Sequence, residues 1–253
     1  MDTRRTCYLF LDYDGTVFLN GKEIPTETKE ALAAVQRAGH QIILNTGRSR
    51  GNPPQDNSVS WDGQIFSGAD FTYHGKRHLL YRLNRKDGEK WFCSAMERGA
   101  WIFVEGDRKS RRFDFNRAAQ PPTNAEKKKY LREYRNLTRW QVLSKLSVGV
   151  TSVSGEPTAR LHAVDQKTYL ELFPKGTDKG FILKIFCEWY GIEREQCIAF
   201  GDSLNDLAAF EAVETAVSMK GAPEELKAAA TYHAETENGV AEGIRYYFPE
   251  LFS

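Results

Sequence analysis

The sequence predicts an α/β protein in which a doubly wound parallel-sheet core is interrupted by an inserted α+β domain. Apolar strands alternate with helices near the N-terminus, and the same alternation returns in the last third of the chain, which favours parallel strands with right-handed crossovers. The region between them has a different, basic character. We therefore assign residues 1–82 and 173–253 to the core and residues 83–172 to the insertion.

The first elements follow from local pattern. The apolar run YLFL predicts a buried strand, and TETKEALAAVQRAG predicts a helix that stops at Gly39. The segment QIILNTG predicts a second buried strand, and the extended segments after Gly63 are joined by turns, one of them at His74-Gly75.

The insertion and the returning core are predicted in the same way. We expect helices near 88–97 and 124–135, with strands in WIFVEG, RRFDFN and near 141–146. The core resumes with a helix in TDKGFILKIFCEWYG, with Thr177 as its cap and Gly191 as its stop. A buried strand in QCIAFGD, a helix in LNDLAAFEAV, a strand in TAVSM and a helix in PEELKAAA with Pro223 in its first turn complete it.

Composition bounds the class of protein. The chain has 253 residues, of which 41% are hydrophobic and 27% charged, as is ordinary for a globular protein. No apolar stretch is long enough to cross a membrane, and the first apolar run is too short for a signal peptide. Four scattered cysteines without a CxxC pair favour neither zinc nor a disulfide framework. We therefore expect a cytoplasmic protein with no membrane partner.

The net charge of +1 hides an asymmetry. Residues 82–140 contain sixteen Lys and Arg against eight Asp and Glu, whereas the rest of the chain has a balance of −7. Such a split indicates two regions with different roles. The basic runs RKSRR and EKKKYLREYR are compatible with a phosphorylated ligand or a polyanion, but exposed solvated charge is the simpler interpretation. Likewise, Trp91, Trp101, Trp140 and Tyr134 are expected to be core rather than a sugar-binding face.

Four short motifs stand at predicted strand ends or helix starts. The first is DYDGT: if its strand continues, Asp12 and Asp14 point to the same side, and one of two such carboxyls has a raised pKa. The second is NTGRS, where Thr46 and Gly47 can donate hydrogen bonds to an anion. The third places Lys179 in the first helical turn, where a cation opposes the helix dipole and so needs an anionic partner. Lys175 is a competing candidate.

The fourth motif, GDSLND, places Asp202 at a strand end, with Asn205 and Asp206 three and four residues further on. The carboxyl ends of parallel strands share one edge of a sheet, which is where open α/β sheets bind ligands. Three or four acids at such an edge need a divalent cation, and ligands that are all oxygen favour Mg²⁺ over zinc.

The motifs DYDGT, NTGR, PKGTDKG and GDSLND together resemble those of the haloacid dehalogenase-like phosphatases, and in particular the Cof-type sugar-phosphatase branch with a large cap between motifs two and three. The resemblance implies a Rossmann-like core, a cap at residues 83–172 that governs specificity, and hydrolysis of small phosphorylated metabolites, above all sugar phosphates. It also implies an aspartyl-phosphate intermediate and Mg²⁺ as cofactor.

The resemblance further assigns roles to individual residues. Asp12 is the expected nucleophile and Asp14 the acid-base catalyst, whose protonated state burial and the like-charged neighbour would assist. The expected Mg²⁺ ligands are Asp12, Asp202 and the backbone carbonyl of Asp14. The residues expected to bind the phosphoryl oxygens are Thr46, Gly47, Lys179 and Asn205. Arg48 is the expected substrate-binding residue. Asp206 is expected to orient Lys179 or metal-bound water.

Two other functions stay open at this point. A phosphosugar mutase of the same fold shares these motifs but returns the phosphoryl group to the sugar. A non-catalytic protein whose basic insertion binds a polyanion is the alternative of a different class, and intact Asp12, Asp14, Lys179 and Asp202 argue against it. We do not expect a nucleic-acid partner, and the sequence does not determine the oligomeric state or the substrate.

Overall fold

The computed structural model describes residues 5–67, 69–115, 122–149, 160–165 and 167–252. The chain forms two compact units. The first contains Met1–Gly47, Pro54–Leu79 and Asp178–Ser253, and the second contains Arg48–Pro53 and Leu80–Thr177. The sequence assigned residues 48–53 to the core, but a backbone hydrogen bond from Gly51 N to Gly106 O (2.9 Å) joins this short segment to the second unit.

The described residues form strands and helices that alternate along the chain. In chain order these are β1 (Tyr8–Leu11), α1 (Thr26–Arg37), β2 (Gln41–Thr46), β3 (Gly63–Phe66), β4 (Asp70–Tyr73), β5 (Lys76–Leu79), α2 (Arg85–Glu97), β6 (Trp101–Gly106), β7 (Ser110–Asp114), α3 (Asn124–Thr138), β8 (Leu143–Val148), β9 (Leu161–Asp165), β10 (Leu170–Pro174), α4 (Lys179–Tyr190), β11 (Cys197–Gly201), α5 (Leu207–Ala212), β12 (Thr215–Ser218), α6 (Glu224–Ala229), β13 (Tyr232–His233) and α7 (Gly239–Tyr247).

The first unit is built on a sheet with the strand order β13-β12-β11-β1-β2-β3-β4-β5. The strands from β13 to β3 are parallel, and β1 lies between β2 and β11. The hairpins β3-β4 and β4-β5 are antiparallel, and the second turns at His74 and Gly75, both with positive φ. The predicted parallel-sheet core is therefore confirmed, with an antiparallel extension at one edge.

Both faces of this sheet are covered, as a doubly wound fold requires. Leu9 and Leu11 of β1 lie in one buried cluster with Leu32 of α1 and Ile244 of α7. Phe10, which points to the other face, packs edge-on against Phe186 of α4 with ring centroids 5.7 Å apart. Because successive side chains of a strand alternate, β1 needs apolar residues throughout, which explains the continuous run YLFL.

The second unit is an α+β structure with the antiparallel strand order β7-β6-β8-β10-β9. Its hydrophobic core brings Trp91 and Phe92 of α2 and Tyr134 of α3 against Val104 and Leu146 of the sheet. Thr123 and Glu126 form a capping box at the start of α3, so this helix begins where a polar side chain satisfies its first N–H groups.

Several local predictions differ from the structure. Helix α4 is capped by Asp178, whose Oδ1 accepts a hydrogen bond from Phe181 N (2.7 Å), whereas Thr177 donates to Pro174 O (2.6 Å). The segment LNDLAAFEAV begins as a 3₁₀ turn over Leu204–Asp206 before α5. Trp140, which we expected in the core, has 73% of its surface exposed, because it follows the end of α3.

Two global expectations concern membranes and cysteines. None of the helices in the described part of the chain combines the length and the apolar character that a bilayer crossing requires. All four cysteines are free thiols. Cys187 of α4 and Cys197 of β11 lie closest, with their Sγ atoms 3.6 Å apart.

Candidate active site

The motif residues of the first unit meet at the carboxyl edge of its parallel sheet. Asp12 follows β1, Thr46 is the last residue of β2, and Asp202 follows β11. These three strands are neighbours in the sheet, so their ends lie side by side. Lys179 is the first residue of α4 and Asp206 is the last residue of the 3₁₀ turn that precedes α5. The fold thus brings together residues that are up to 194 positions apart.

A buried lysine joins two of these acids. Lys179 Nζ lies 2.7 Å from Asp12 Oδ1 and 2.6 Å from Asp206 Oδ1, and all three side chains are almost completely buried. A cation at a helix start needs an anionic partner, and Lys179 has two, the carboxylates of Asp12 and Asp206. Lys175, the competing candidate, is exposed and belongs to the second unit.

Asp206 connects Lys179 to the backbone that follows β11. Its Oδ1 accepts from Lys179, and its Oδ2 accepts hydrogen bonds from the backbone N–H groups of Asp202 and Ser203, both at 3.1 Å. Both carboxylate oxygens are thus engaged by the protein. Close packing against Gly201, where a Cβ atom would lie 2.5 Å from Asp206 Cβ and Cγ, leaves this side chain little freedom to move.

Burial and charge shift the pKa values of the cluster. Burial raises the pKa of Asp12 well above its usual range, Lys179 opposes this shift, and the nearby carboxylates of Asp206 and Asp202 add to it. The pKa of Asp202 is raised for the same first reason, by burial, and then by Asp206. Burial alone would lower the pKa of Lys179, but Asp12 and Asp206 raise it, so the side chain is protonated and positively charged.

Asp202 is fixed by the first motif. Thr16 Oγ1 donates a hydrogen bond to Asp202 Oδ1 (3.1 Å). Gly15 has φ +83°, and a Cβ atom at this position would collide with the Asp202 carboxylate. Gly15 is therefore needed twice, because only glycine adopts this backbone freely and only glycine leaves room for the acid.

Asp14 does not match one expectation. Strand β1 ends at Leu11, so the alternation that would place Asp12 and Asp14 side by side does not continue. Asp12 is 6% exposed, whereas Asp14 is exposed and pairs with Phe18 in an isolated bridge. Burial therefore acts on Asp12, and the expectation that Asp14 is buried is wrong.

The residues expected to bind phosphate lie at the same edge. Thr46 is 1% exposed, and Gly47 follows it. A Cβ atom on Gly47 would lie 3.8 Å from Asn205 Nδ2. Asn205 Oδ1 accepts from Ser203 Oγ (3.0 Å), and Nδ2 makes no hydrogen bond to any residue that the structure describes. This amide donor therefore lies beside the turn after β2, where an anion can use it.

Arg48 does not belong to the unit that contains the acidic cluster. It belongs to the second unit, where its Nη1 donates to Pro53 O (3.5 Å). Its expected role in substrate binding stays a prediction.

Sequence reasoning missed three residues that support the cluster. Thr16 and Ser203 hold Asp202 and Asn205, as described above. Asn45 is buried, donates from Nδ2 to the backbone O of Lys179 (3.4 Å), and thereby ties the end of β2 to the start of α4; its Oδ1 has no hydrogen-bond partner in the described structure. All three residues lie inside the sequence motifs, and this position is the signal by which sequence reasoning could have identified them.

The donor set fits a hard divalent cation. One carboxylate oxygen from each of Asp12, Asp202 and Asp206 lies within 4.8 Å of the others. Around one ammonium these three acids leave an excess of negative charge in a buried place, and a cation is the usual compensation. Since Asp206 is already engaged on both oxygens, Asp12 and Asp202 are the carboxylates that suit a divalent cation.

A buried carboxylate, a buried lysine and a cluster of acids at the carboxyl edge of a doubly wound sheet are features of a phosphoryl-transfer site. The family model of the haloacid dehalogenase-like hydrolases matches residues 9–53 and 153–246. The chain belongs to this family and, within it, to the phosphatases.

Relatives and solved structures agree with this membership. The 5-amino-6-(5-phospho-D-ribitylamino)uracil phosphatase YitU of Bacillus subtilis is 35% identical over 282 residues, which cover 94% of this chain and 96% of that protein. Two further relatives, from Haemophilus influenzae and Bacillus subtilis, align over only 32% and 30% of their own length.

Among solved structures, the phosphatase BT1666 from Bacteroides thetaiotaomicron has a TM-score of 0.78 at 19% identity and covers 97% of this chain and 96% of that chain. The subclass IIB sugar phosphatase BT4131 has a TM-score of 0.75 at 20% identity, covering 96% and 99%. At such identities these structures establish the fold alone.

Proposed function

We propose that the protein is a Mg²⁺-dependent phosphatase that hydrolyses small phosphorylated metabolites through an aspartyl-phosphate. The observation that carries the proposal is the buried cluster in which Lys179 Nζ lies 2.7 Å from Asp12 Oδ1 and 2.6 Å from Asp206 Oδ1, with Asp202 beside it. Phosphoryl transfer depends mainly on positioning and charge neutralisation, and this cluster supplies both.

In the first half of the reaction, a carboxylate oxygen of Asp12 attacks phosphorus. The new bond joins Asp12 to the phosphoryl group, and the bond from phosphorus to the ester oxygen breaks. Asp14 gives its proton to that departing oxygen, so the alcohol leaves in neutral form. Lys179 holds Asp12 in one orientation through the contact at Oδ1, which reduces the conformational freedom lost on reaching the transition state.

In the second half, Asp14 takes a proton from a water molecule as this water attacks phosphorus. The bond between phosphorus and Asp12 breaks, inorganic phosphate leaves and the Asp12 carboxylate is restored. The exposure of Asp14 supports its exchange of protons with the leaving group and with water, because an exposed carboxyl can reach both.

The phosphoryl oxygens are held by donors of this edge. Lys179 offers its ammonium, Asn205 offers Nδ2, and the Thr46-Gly47 turn offers a hydroxyl and a backbone N–H. A bound Mg²⁺ would be held by Asp12, Asp202 and the backbone carbonyl of Asp14, and it would neutralise charge on the transferring group. Asp206 positions Lys179 and the backbone after Asp202.

The substrate class is the finer part of the proposal. Sugar phosphates are the expected class, and the name of YitU adds a phosphorylated ribitylamino-pyrimidine as a specific compound to test. Residues 83–172 are proposed as the cap that governs the choice among these compounds, with Arg48 as a substrate-binding residue. The protein is proposed to act in the cytoplasm, where such metabolites are found.

The experiment is a measurement of phosphate release. Wild-type protein is incubated with a panel of sugar, nucleotide and cofactor monophosphates that includes 5-amino-6-(5-phospho-D-ribitylamino)uracil, once with Mg²⁺ and once with EDTA. The variant Asp12→Asn keeps the shape of the side chain but loses the nucleophile, so we expect kcat to fall at least about 10³-fold. Glu211→Gln, an exposed acid on α5 of the same unit, is the matched control and should retain activity.

Two outcomes would contradict the proposal. Turnover that persists with EDTA or in the folded Asp12→Asn variant would exclude this mechanism. A product that is an isomer of the substrate, formed without free phosphate, would identify a mutase instead.

A further inference from the structure

A basic cleft in the second unit has no role in the proposed reaction. It has a volume of 1110 Å³, slightly above the usual range of about 300–1,000 Å³ for small-ligand sites, and none of the four sequence motifs contributes to it. Its walls are formed by the start of α2, the end of α3 and the segment after α3. Six arginines line it: Arg82, Arg85, Arg108, Arg135, Arg139 and Arg160.

The acids of the cleft do not neutralise this charge. Lys86 adds a seventh cation to the lining, and Glu89 and Asp107 are its acidic members. Glu89 is held by a bidentate ion pair with Arg135, and Asp107 Oδ1 accepts a hydrogen bond from Val142 N (2.9 Å). Both acids are thus committed within the protein, and an excess of positive charge faces the cleft.

Three of the arginines are unused. The side chains of Arg82, Arg108 and Arg160 are exposed and form no hydrogen bond or ion pair with any residue that the structure describes. The loop of Arg108 is nevertheless ordered, because Gln141 Oε1 accepts from Arg108 N (3.3 Å) and from Lys109 N (2.9 Å). A guanidinium can bind a phosphate with two parallel hydrogen bonds, and because the backbone of Arg108 is already held, only the freedom of its side chain is lost on binding.

An aromatic ring stands among these cations. Trp140 lines the cleft, and 73% of its surface is exposed, which is unusual for so large an apolar side chain. The guanidinium of Arg139 lies over its ring, 5.0 Å from the centroid. Arg139 also lines this cleft, so the ring and the cation that contacts it face the same space, in which a planar ring of a ligand can pack against Trp140.

We propose that this cleft is a second ligand site, which binds a nucleoside diphosphate or triphosphate. The unused guanidinium groups take the phosphates, and Trp140 takes the base. A nucleotide supplies both parts of this chemistry, whereas a sugar monophosphate has no planar aromatic ring and only one phosphate group for several arginines. The proposal does not depend on the phosphatase activity proposed above.

A single nucleotide fits better than a strand of nucleic acid. The cleft contains one exposed aromatic ring, whereas proteins that bind single strands present several rings on which successive bases stack. A neighbouring cleft of 560 Å³ on the side of Lys109 and Arg111 shares Trp140, but there Arg111 is paired with Glu133 (3.0 Å). Arg108 lines both clefts, whereas Arg82 and Arg160 line the larger cleft alone.

The test is a calorimetric titration of the full chain with ADP in EDTA, which prevents metal-dependent turnover. We expect one binding site per chain, affinity that decreases with added salt, and quenching of tryptophan fluorescence. The double variant Arg108→Ala/Arg160→Ala should weaken binding by about tenfold or more, because both residues are charged contacts to phosphate. The matched control Lys128→Ala/Lys129→Ala removes the same charge from the exposed face of α3 and should bind within about twofold of wild type.

Two tryptophan variants locate the base. Trp140→Phe should lose the quenching signal and weaken binding, whereas Trp189→Phe, which changes a 54% exposed tryptophan of the first unit, should keep both. All substituted residues are exposed, so thermal unfolding should be unchanged and confirms that each variant is folded.

Four results would overturn the proposal. The first is that ADP and ATP fail to bind, and the second is that the Arg108→Ala/Arg160→Ala variant binds ADP as tightly as wild type. Pyrophosphate binds as tightly as ADP, which would exclude a role for the ring. A single-stranded oligonucleotide of ten residues binds at least about tenfold more tightly than ADP and loses affinity in the same variants, which would identify a nucleic-acid site instead.

Discussion

Each unit of this protein contains a buried lysine between two carboxylates. In the first unit Lys179 contacts Asp12 and Asp206 at 2.7 and 2.6 Å. In the second unit Lys145 contacts Glu171 at 2.7 Å and Glu105 at 3.3 Å, and all three side chains are at most 8% exposed. In both places burial opposes the charge of the lysine, and the adjacent acids raise its pKa.

The two clusters differ in where they stand. Glu105, Lys145 and Glu171 lie within three neighbouring antiparallel strands, on the face opposite to the apolar residues Val104 and Leu146. The Lys179 cluster lies at strand ends and a helix start, and it has a further acid, Asp202. The position at a sheet edge and the surplus of negative charge, rather than the buried ion pair itself, distinguish a candidate catalytic site from a structural one.

The largest expected effect separates the two lysines by activity. Lys179→Met should lower kcat about 10³-fold, because it removes a cation beside the transferring phosphoryl group and the contact that orients Asp12. Lys145→Met, the same substitution in the other cluster, should change kcat by less than about tenfold. Phosphate release under saturating substrate measures both, after circular dichroism has shown that each variant is folded. Equal losses in the two variants would refute the distinction.

The stability of the chain should depend on the charge balance of the Lys145 cluster. Lys145→Met leaves Glu105 and Glu171 buried without their counter-charge, and removal of one partner from such a group costs about 3–5 kcal/mol. Urea unfolding of the chain measures the loss. The triple variant Lys145→Met/Glu105→Met/Glu171→Met should recover most of it, since an apolar set of similar volume has no desolvation penalty. A triple variant as unstable as the single one would show that packing, rather than charge, sets the cost.

Magnesium should stabilise one cluster and not the other. A ligand that binds only the folded state at one hundred times its Kd adds about 2.7 kcal/mol of stability, which shifts the Tm of a chain of this size by several degrees. We expect Mg²⁺ to raise the Tm of wild type and of Glu171→Gln, and to have no effect on Asp202→Asn. Differential scanning calorimetry with Mg²⁺ and with EDTA measures this difference. A shift that survives Asp202→Asn would move the cation away from this edge.

The smallest effect concerns a buried group outside both clusters. Burial lowers the pKa of His40 below its ordinary value of 6.5, with Glu250 opposing the shift, and His40 Nδ1 accepts a hydrogen bond from Cys7 N (3.2 Å). The pKa of His40 is lower in the folded than in the unfolded state. The stability contributed by neutral His40 is therefore present above about pH 6.5 and is lost as the pH falls through the pKa of the folded state.

His40→Asn retains an acceptor but does not titrate, so its unfolding free energy should change less between pH 7.5 and 5 than that of wild type. His74→Asn, an exposed histidine with positive φ that asparagine tolerates, is the control and should behave as wild type. Identical pH profiles for wild type and His40→Asn would assign the acid sensitivity to other groups.

The sequence by itself determined the architecture and the membership of the candidate site. Apolar runs such as YLFL and QIILNT predict strands buried on both faces, because only such strands need apolar residues at every position. The polar residues directly after these strands then share one edge of the sheet, since parallel strands align their ends. Asp12, Thr46 and Asp202 were found on this basis, and Lys179 was found because a cation at a helix start needs an anionic partner.

The tertiary structure alone decided how each group is used. Asp12 and Asp14 are two residues apart, yet one is buried and the other exposed, because β1 ends at Leu11 and the chain turns at Gly15. Trp140 and Trp91 are the same residue type in one basic region, yet the first is exposed and the second is core. Burial and partner choice depend on contacts between residues far apart in the chain, and the local pattern of a sequence does not contain those distances.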